Sequence, residues 1–425
     1  MRPLASIVAT SRVSVMFCLL GALPFAAAQQ PNTCLDCHAE FPSPPGVSRE
    51  DFAADIHAQK GLTCADCHGG DPAQPTPELS MGRAAGFRGH VDRKQIPQLC
   101  SRCHSDAAYM RTYNPSLRTD QLSQYLTSVH GKLLAKGDTQ VAVCTDCHSV
   151  HRIRPASDTR STIHPLNLAE TCSRCHSDPA RMQAYKIPTD QHAGYKESVH
   201  HRALVERGDL SAPTCTTCHG NHGAAPPGVQ SVEFVCANCH VFQAQLFDSS
   251  PHKAAFAALD VGPCITCHSN HRVRAPGDVM LGAGAQSACI QCHVEGDAGH
   301  TAAITFQRRL GELQNAIGRS DELLERAEQY GMEVSEAKLE QAQARDAITK
   351  ARVTIHSFSL PRVEEDIQAG LKLAEKTQQA GLQALSERDF RRKGLAISLL
   401  AIVIVVIALR LYIRQIESRD TRETE

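Results

Sequence analysis

Cys34-Leu35-Asp36-Cys37-His38 opens a series that runs through most of the chain. The same Cys-x-x-Cys-His spacing returns at Cys64, Cys67 and His68; at Cys100, Cys103 and His104; at Cys144, Cys147 and His148; at Cys172, Cys175 and His176; at Cys215, Cys218 and His219; at Cys236, Cys239 and His240; at Cys264, Cys267 and His268; and at Cys289, Cys292 and His293. These are motifs 1 to 9 in chain order. The spacing is the attachment signature of c-type haem. Two thiols add across the two vinyl groups of the porphyrin, and the adjacent imidazole comes under the iron as proximal ligand. A single copy could instead hold zinc or act as a redox dithiol. Here the nine pairs use 18 of the 19 cysteines, and the last, Cys18, lies in a segment with the marks of a secretory signal. No further cysteine remains for a disulfide, a zinc site or a nucleophile, so the expectation is nine covalently bound haem c groups.

Composition agrees. All nine motifs are crowded into residues 34–293, and aromatics make up only 4% of the chain with no Trp. So little protein per cofactor cannot build an ordinary side-chain core, and the porphyrins themselves are expected to form it. A net charge of −1 gives no argument for nucleic acid or an anionic membrane surface as partner.

The two ends point to export and a membrane. In residues 1–28, Arg2 and Arg12 supply a positive start, residues 13–20 an apolar stretch, and Ala26-Ala27-Ala28 a small-residue cleavage site before Gln29. Export fits covalent haem attachment outside the cytoplasm, where paired cysteines would otherwise be oxidised. Residues 393–413 read as a transmembrane helix, about 30 Å of apolar helix. Arg410 can snorkel to the headgroups and Tyr412 suits the interface. Basic residues flank the span on both sides, so charge does not orient it. With the haems outside, residues 414–425 become a cytoplasmic tail.

An internal repeat bears on the second axial ligand. Thr119-Asp120-Gln121, Tyr125 and Ser128-Val129-His130 match Thr189-Asp190-Gln191, Tyr195 and Ser198-Val199-His200, and a shorter version runs through Ser250-Pro251-His252. The units lie near 100–171, 172–235 and 236–288. Each has one bare motif, then a Ser-x-His, then an elaborated motif followed by His-x-x-His: His148 to His151, His219 to His222 and His268 to His271. Ser128, Ser198 and Ser250 are expected helix N-caps, with Pro251 in a first turn and stops at Gly137 and Gly208. His130, His151, His200, His222, His252 and His271 are therefore the distal-ligand candidates. His57 joins them by its setting before Cys64. His192 and His201 do not recur with the unit and are bystanders, and His90, His164 and His300 lack repeat support. Met81, Met110, Met182 and Met280 are alternative ligands, although core packing is the commoner role of such Met residues.

Beyond His300 the composition shifts to Ala, Glu, Gln, Leu and Arg, with apolar residues at helical spacing: Leu310, Leu313, Ile317, Leu324 and Ala327. Helices are expected over about 301–330, 335–357 and 362–390, broken at Gly331 and Pro361, with the last running on into the membrane span. This region, 301–392, is either a spacer, a coiled-coil assembly element, or a domain that packs on the last haems and contributes His356 as a distal ligand. The expected fold is mainly α with extensive loops: a multihaem domain over 29–300 organised around packed haems, a helical hairpin or bundle, and one C-terminal transmembrane helix.

With these motifs the chain resembles the multihaem c-type cytochromes of the doubled-CXXCH, bis-histidine kind, as a membrane-anchored nine-haem member. The resemblance covers about 34–300. It implies a respiratory electron carrier on the periplasmic side of a bacterial inner membrane, in anaerobic respiration. It also implies partners: a membrane quinol-oxidising complex of cytochrome b or iron–sulfur type, and periplasmic or outer-membrane cytochromes. The related quinol dehydrogenases are similar but anchored at the N-terminus, so such a complex, not quinol itself, is the expected donor. The competing reading is a multihaem oxidoreductase, similar to those that reduce nitrite, hydroxylamine or tetrathionate, which needs one iron with an open position. Motifs 1, 3 and 9 are the places for it. A subunit of a cytochrome filament is a third reading, which the apolar tail opposes.

Overall fold

The computed structural model describes residues 32–224 and 232–423. The signal reading of residues 1–28 falls outside the described residues. The chain is mainly helical, with no strand among the described residues, as expected. It forms two compact units. One comprises the described residues up to Leu99 together with Ser149–Arg154, and the other Cys100–His148 and the chain from Pro155 onward.

The motifs themselves make the smallest elements. Seven of the nine end an α-helix at their histidine: Thr33–His38, Cys64–His68, Ile96–His104, Cys144–His148, Pro165–His176, Cys215–His219 and Pro263–His268. One helical turn is what the spacing requires, because residues three apart lie on the same face and both thiols then point the same way. Caps close these short turns. The Asp66 carboxylate accepts from Thr63 N at 2.6 Å, and Asp146 from Val143 N at 2.7 Å. At the other end Gly69, Ser149, Gly220 and Ser269 take φ of 69°, 65°, 79° and 68°, which stops the helix directly after the histidine.

The repeat elements form as expected, with one difference. Ser128 and Ser198 cap the helices Val129–Ala135 and Val199–Glu206, accepting from Gly131 N and His201 N. Gly137 and Gly208 follow those helices with positive φ. Ser250 also precedes a helix, Pro251–Leu259, but its hydroxyl donates back to Phe247 O at 2.7 Å instead of capping forward. Met110 and Met182 are buried among the core residues, the packing role rather than the ligand role. Apolar clusters in this region are small, such as Ala203, Leu204 and Ala212.

The region past residue 297 is different. Helices α1 (Ala298–Gln329), α2 (Ser335–Thr354) and α3 (Leu360–Glu423) form a three-helix bundle. Pro361 does not break the chain where the sequence suggests. It sits in the first turn of α3, where its missing N–H is not needed, and the corner before it is made by Phe358 at φ 49°. Phe306, Leu310, Leu313, Ile317, Ile348, Val363 and Ile367 fill one core segment, and Leu324, Ala327, Met332, Val334, Ala384 and Leu385 a second.

A polar layer lies between them. Ser320 Oγ and Thr377 Oγ1 are 2.7 Å apart, Thr377 Oγ1 donates to Gln341 Oε1 at 2.6 Å, and Gln341 Nε2 donates to Ile317 O and Asp321 Oδ1, each at 2.8 Å. All three side chains are at most 1% exposed. Below the bundle, α3 continues as a run whose apolar side chains, from Leu395 to Ile416, stand 47–70% exposed. Its mean hydropathy of 2.7 over a membrane-length window makes it long and apolar enough to cross a bilayer.

Thr377→Val keeps the shape and removes the hydroxyl that joins Ser320 to Gln341. The buried Gln341 Oε1 then loses its donor, and the bundle should lose about 1–3 kcal/mol. Denaturant unfolding of the helical signal measures this, and an unchanged midpoint would mean the layer is dispensable.

Candidate haem sites

Each motif helix places its histidine at the end of one turn, and in most cases a second imidazole is brought to face it. Ring centroids lie 6.2 Å apart for His68 and His151, 6.2 Å for His130 and His176, 6.1 Å for His148 and His222, 5.9 Å for His219 and His271, 6.0 Å for His252 and His293, and 6.1 Å for His268 and His356. His200 stands close enough to His240 for the charge of one to disfavour charge on the other. Metal–imidazole bonds run about 2.0–2.1 Å, and two of them plus the ring radii span about 6 Å. The gaps therefore fit an iron held between two nitrogens. Each such site offers two imidazoles, and no group of three or more His, Cys, Asp or Glu gathers among the described residues. That donor set leaves the equatorial positions to a macrocycle, and the paired cysteines at every motif are what would fasten one.

The pairing follows a rule. A Ser-x-His histidine goes to the next bare motif downstream: His130 faces motif 5 and His252 motif 9, and His200 lies in the neighbourhood of His240 of motif 7. A His-x-x-His histidine faces the histidine two motifs back: His151 meets motif 2, His222 motif 4 and His271 motif 6. Motif 8 has no later repeat to supply its partner, and His356, from the turn between α2 and α3, takes that place. His151 and His271 reach their positions with φ of 59° and 37°. Such left-handed backbone costs of order 1–3 kcal/mol in a residue other than Gly and persists where the surroundings enforce it.

Hydrogen bonds set the ring orientations. The Nδ1 atoms of His38, His68 and His356 donate to Pro45 O at 2.9 Å, Gly89 O at 3.2 Å and Val353 O at 2.9 Å. His57 Nδ1 lies 3.0 Å from Asp55 Oδ1, and His293 Nδ1 3.3 Å from Asp297 Oδ2. In the His38, His68, His293 and His356 rings the far nitrogen points away from that bond, the arrangement that metal-bound imidazoles commonly show. Asp55 is only 3% exposed. Burial pushes its carboxyl up, but hydrogen bonds from the His57 ring, His57 N and Ile153 N outweigh this and hold it below the ordinary carboxylate range.

Protonation also favours ligation. Burial lowers the pKa of His130, His151, His176, His222, His252, His268, His271 and His356, so these rings are neutral at neutral pH. Burial pushes the Cys147 and Cys267 thiols up to about 11.

The cysteines also give the spatial order of the sites. Cys34 and Cys64 are within hydrogen-bonding reach, as are Cys100 and Cys144, and Cys172 and Cys215. Cys147 lies beside Cys175, Cys218 beside Cys236 and Cys239, and Cys267 beside Cys289 and Cys292. His268 is near His240. Motifs 1 and 2 are therefore neighbours in one unit, and motifs 3 to 9 follow one another in chain order in the other.

Other histidines have local tasks. His164 caps the helix Pro165–His176, His192 pairs with Glu170 at 3.1 Å, and the His201 ring packs edge-on against Tyr195. Supporting residues that motif reading misses include Asp55, Asp297, Gly299 and Phe358. The Phe358 ring lies 3.8 Å from that of His252. Asp297 accepts from the backbone N–H groups of Val294 and His300 while facing His293. A Cβ on Gly299 would overlap the His293 ring at Cε1 and Nδ1. Asp55 and Asp297 carry a faint signal as acidic residues two to four positions from a histidine; Gly299 and Phe358 carry none.

Residues 56–177 match the family model described as cytochrome c3, and residues 257–298 that of the doubled CXXCH motif. No curated protein and no solved structure matches the chain. The two family matches support a multihaem c-type cytochrome with covalently bound haem c that transfers electrons through its haem groups.

Two outcomes are expected from this geometry. Gly299→Ala should push the His293 ring off its axis and convert one haem of the purified protein to a high-spin electron paramagnetic resonance (EPR) signal. Gly311→Ala, where an added Cβ meets nothing, should leave the spectrum unchanged. Stability should also depend on acid in one direction. The buried histidines have lowered folded pKa values, so below the ordinary imidazole value of about 6.5 the unfolded chain binds more protons. Unfolding scans should then show stability level above that pH and falling as pH drops below it.

Proposed function

We propose that the protein is a nine-haem electron-transfer cytochrome, exported and tethered by α3 to a bacterial inner membrane with its haems on the periplasmic side. The observation that supports this reading is the pairing: six motif histidines face a second imidazole at ring-centroid distances of 5.9 to 6.2 Å, and His200 lies near His240 of a seventh motif. Bound iron supplies reversible one-electron exchange, and two imidazoles leave it no position for a substrate. The ligand pairs on this reading are His68 with His151, His148 with His222, His176 with His130, His219 with His271, His240 with His200, His268 with His356, and His293 with His252. His57, its ring set by Asp55, is kept as a further distal ligand. The donors and acceptors are a membrane quinol-oxidising complex and periplasmic or outer-membrane cytochromes, in a respiratory chain.

One observation favours the second reading, a haem enzyme with a single open iron. At motif 1 the ring beside His38 is Phe41, edge-on at 5.9 Å, where other motifs have an imidazole. Motif 9, by contrast, faces His252 and is not the open site on this geometry.

Low-temperature EPR with haem quantification separates the two. Nine haems per chain, all low-spin and indifferent to cyanide or nitrite, support the carrier. A stoichiometric high-spin signal that shifts on cyanide addition overturns it in favour of the enzyme. His356→Ala should turn one haem high-spin, and His192→Ala should turn none.

A further inference from the structure

Among the described residues of its own unit, the three-helix bundle meets the motif region at the end farthest from the apolar run of α3. Helices α1 and α3 are parallel. The contacts Arg309 with Glu364, Leu313 with Gly370, Ser320 with Thr377, Leu323 with Gly381 and Tyr330 with Arg388 keep a nearly constant offset along the two chains. Helix α2 returns antiparallel between them, as Lys376 with Glu340, Gln341 with Thr377 and Lys350 with Asp366 show. Starting at the motif region, α1 therefore runs toward the apolar segment, α2 returns, and α3 runs down again and on through it.

The contacts that fasten the motif region to the bundle lie at the start of α1 and at the α2–α3 corner. Asp278 receives Arg352 at 2.8 Å and, on its carbonyl, Gln307 at 3.1 Å. Gly282 N donates to Ala303 O at 3.1 Å. His356 faces His268, and Phe358 packs on Phe247 and His252. The opposite end of the bundle is the α1–α2 turn, where Arg388 stacks on the Tyr330 ring at 4.2 Å and Met332 and Val334 pack on Ala384 and Leu385.

Helix α3 is continuous from Leu360 to Glu423. At 1.5 Å per residue, the 34 steps from Leu360 to Gly394 make about 51 Å of helix. A tilt of about 20° to 40° still leaves about 48 to 39 Å of height. The α1–α2 turn, level with Arg388, stands only six residues, or about 9 Å, above the start of the span. The polar layer of Ser320, Gln341 and Thr377 fixes the register of all three helices midway, which makes this length a rigid one.

We propose that the bundle is a stand-off. By the rise and tilt of α3 it holds the sites of motifs 8 and 9 about 40–50 Å from the bilayer. At motifs 8 and 9 the protein therefore exchanges electrons with a redox protein whose own cofactor stands outside the lipid, not with a quinol in the hydrocarbon. Electron tunnelling falls off exponentially with distance, so a quinol confined to the lipid does not reach these haems. Each exchange moves one electron between a haem iron of this chain and the iron of the carrier, with no bond made or broken. This rests on the reading of motifs 8 and 9 as haem sites and of α3 as a membrane span.

The test uses the full-length haem-loaded protein in lipid nanodiscs, imaged by single-particle cryo-electron microscopy. The expected result is density for the haems of motifs 8 and 9 at the full height of α3, about 40–50 Å from the headgroups. The Tyr330 turn should lie near the surface. Those haems at the headgroup level would overturn the proposal. Absent haem density, or a protein that fails to enter the disc, would instead overturn the reading beneath it. In proteoliposomes, a lipid-soluble naphthoquinol alone should leave the haem absorbance oxidised, and addition of a reduced soluble monohaem cytochrome c should reduce it. Rapid reduction by the naphthoquinol alone would also sink the stand-off.

Discussion

A pair of facing imidazoles, their ring centroids 5.9 to 6.2 Å apart, is the interaction on which the motif region depends. Each pair joins segments separated in sequence, so a metal seated in the gap would cross-link the chain as well as complete a redox site. The region needs such links. Its apolar clusters are small, its helices mostly last one or two turns, and a chain of this kind buries too little surface to hold itself together unaided. Local devices then have a limited task. The caps at Thr63 and Val143, the positive-φ residues after motifs 2, 4, 6 and 8 and the Nδ1 hydrogen bonds of five histidines aim these rings, and a bound cofactor would supply most of the cohesion.

The bundle works on the opposite principle. Leucine, isoleucine, alanine and valine at helical spacing fill its core, and the buried polar layer between the two core segments is partnered, so that Ser320, Gln341 and Thr377 specify register. The two regions meet where each is weakest. His356 and Phe358 leave the helical regime in a short 3-10 turn and a left-handed corner, and both point at imidazoles of the motif region. The bundle thus closes the repeat, standing where one more unit would have supplied the next histidine.

Much of this could be read from the chain. The motif spacing gave the haem sites their cysteines and one imidazole each, because covalent attachment demands that local pattern. The repeat singled out His130, His151, His200, His222, His252 and His271, and the structure brings all six to a motif histidine. His356 was nameable as a candidate because it lies in an otherwise helical region. What could not be read was the pairing. Whether a histidine serves the motif before it or after it depends on how the chain passes between neighbouring sites, and His-x-x-His and Ser-x-His turn out to go opposite ways. Gly299 was equally hidden: nothing in a helical Ala-Gly-His marks it as the residue whose missing Cβ makes room for a ring six positions earlier. Pro361 misled by one turn, since proline starts a helix as readily as it stops one.

The pairing rule also has a temporal side. A protein made from its N-terminus exposes motif 8 long before residue 356 exists, and the two imidazoles are separated by the whole of the first two bundle helices. On the ligation proposed above, a haem fastened at motif 8 would have one protein imidazole, His268, until the α2–α3 corner forms and brings His356 opposite it. Completion of the site at motif 8 would thereby be tied to the folding of the bundle that leads into the apolar run of α3. A chain cut short before the corner would keep every attachment cysteine and still be recognisably unfinished, by the spin state of a single iron.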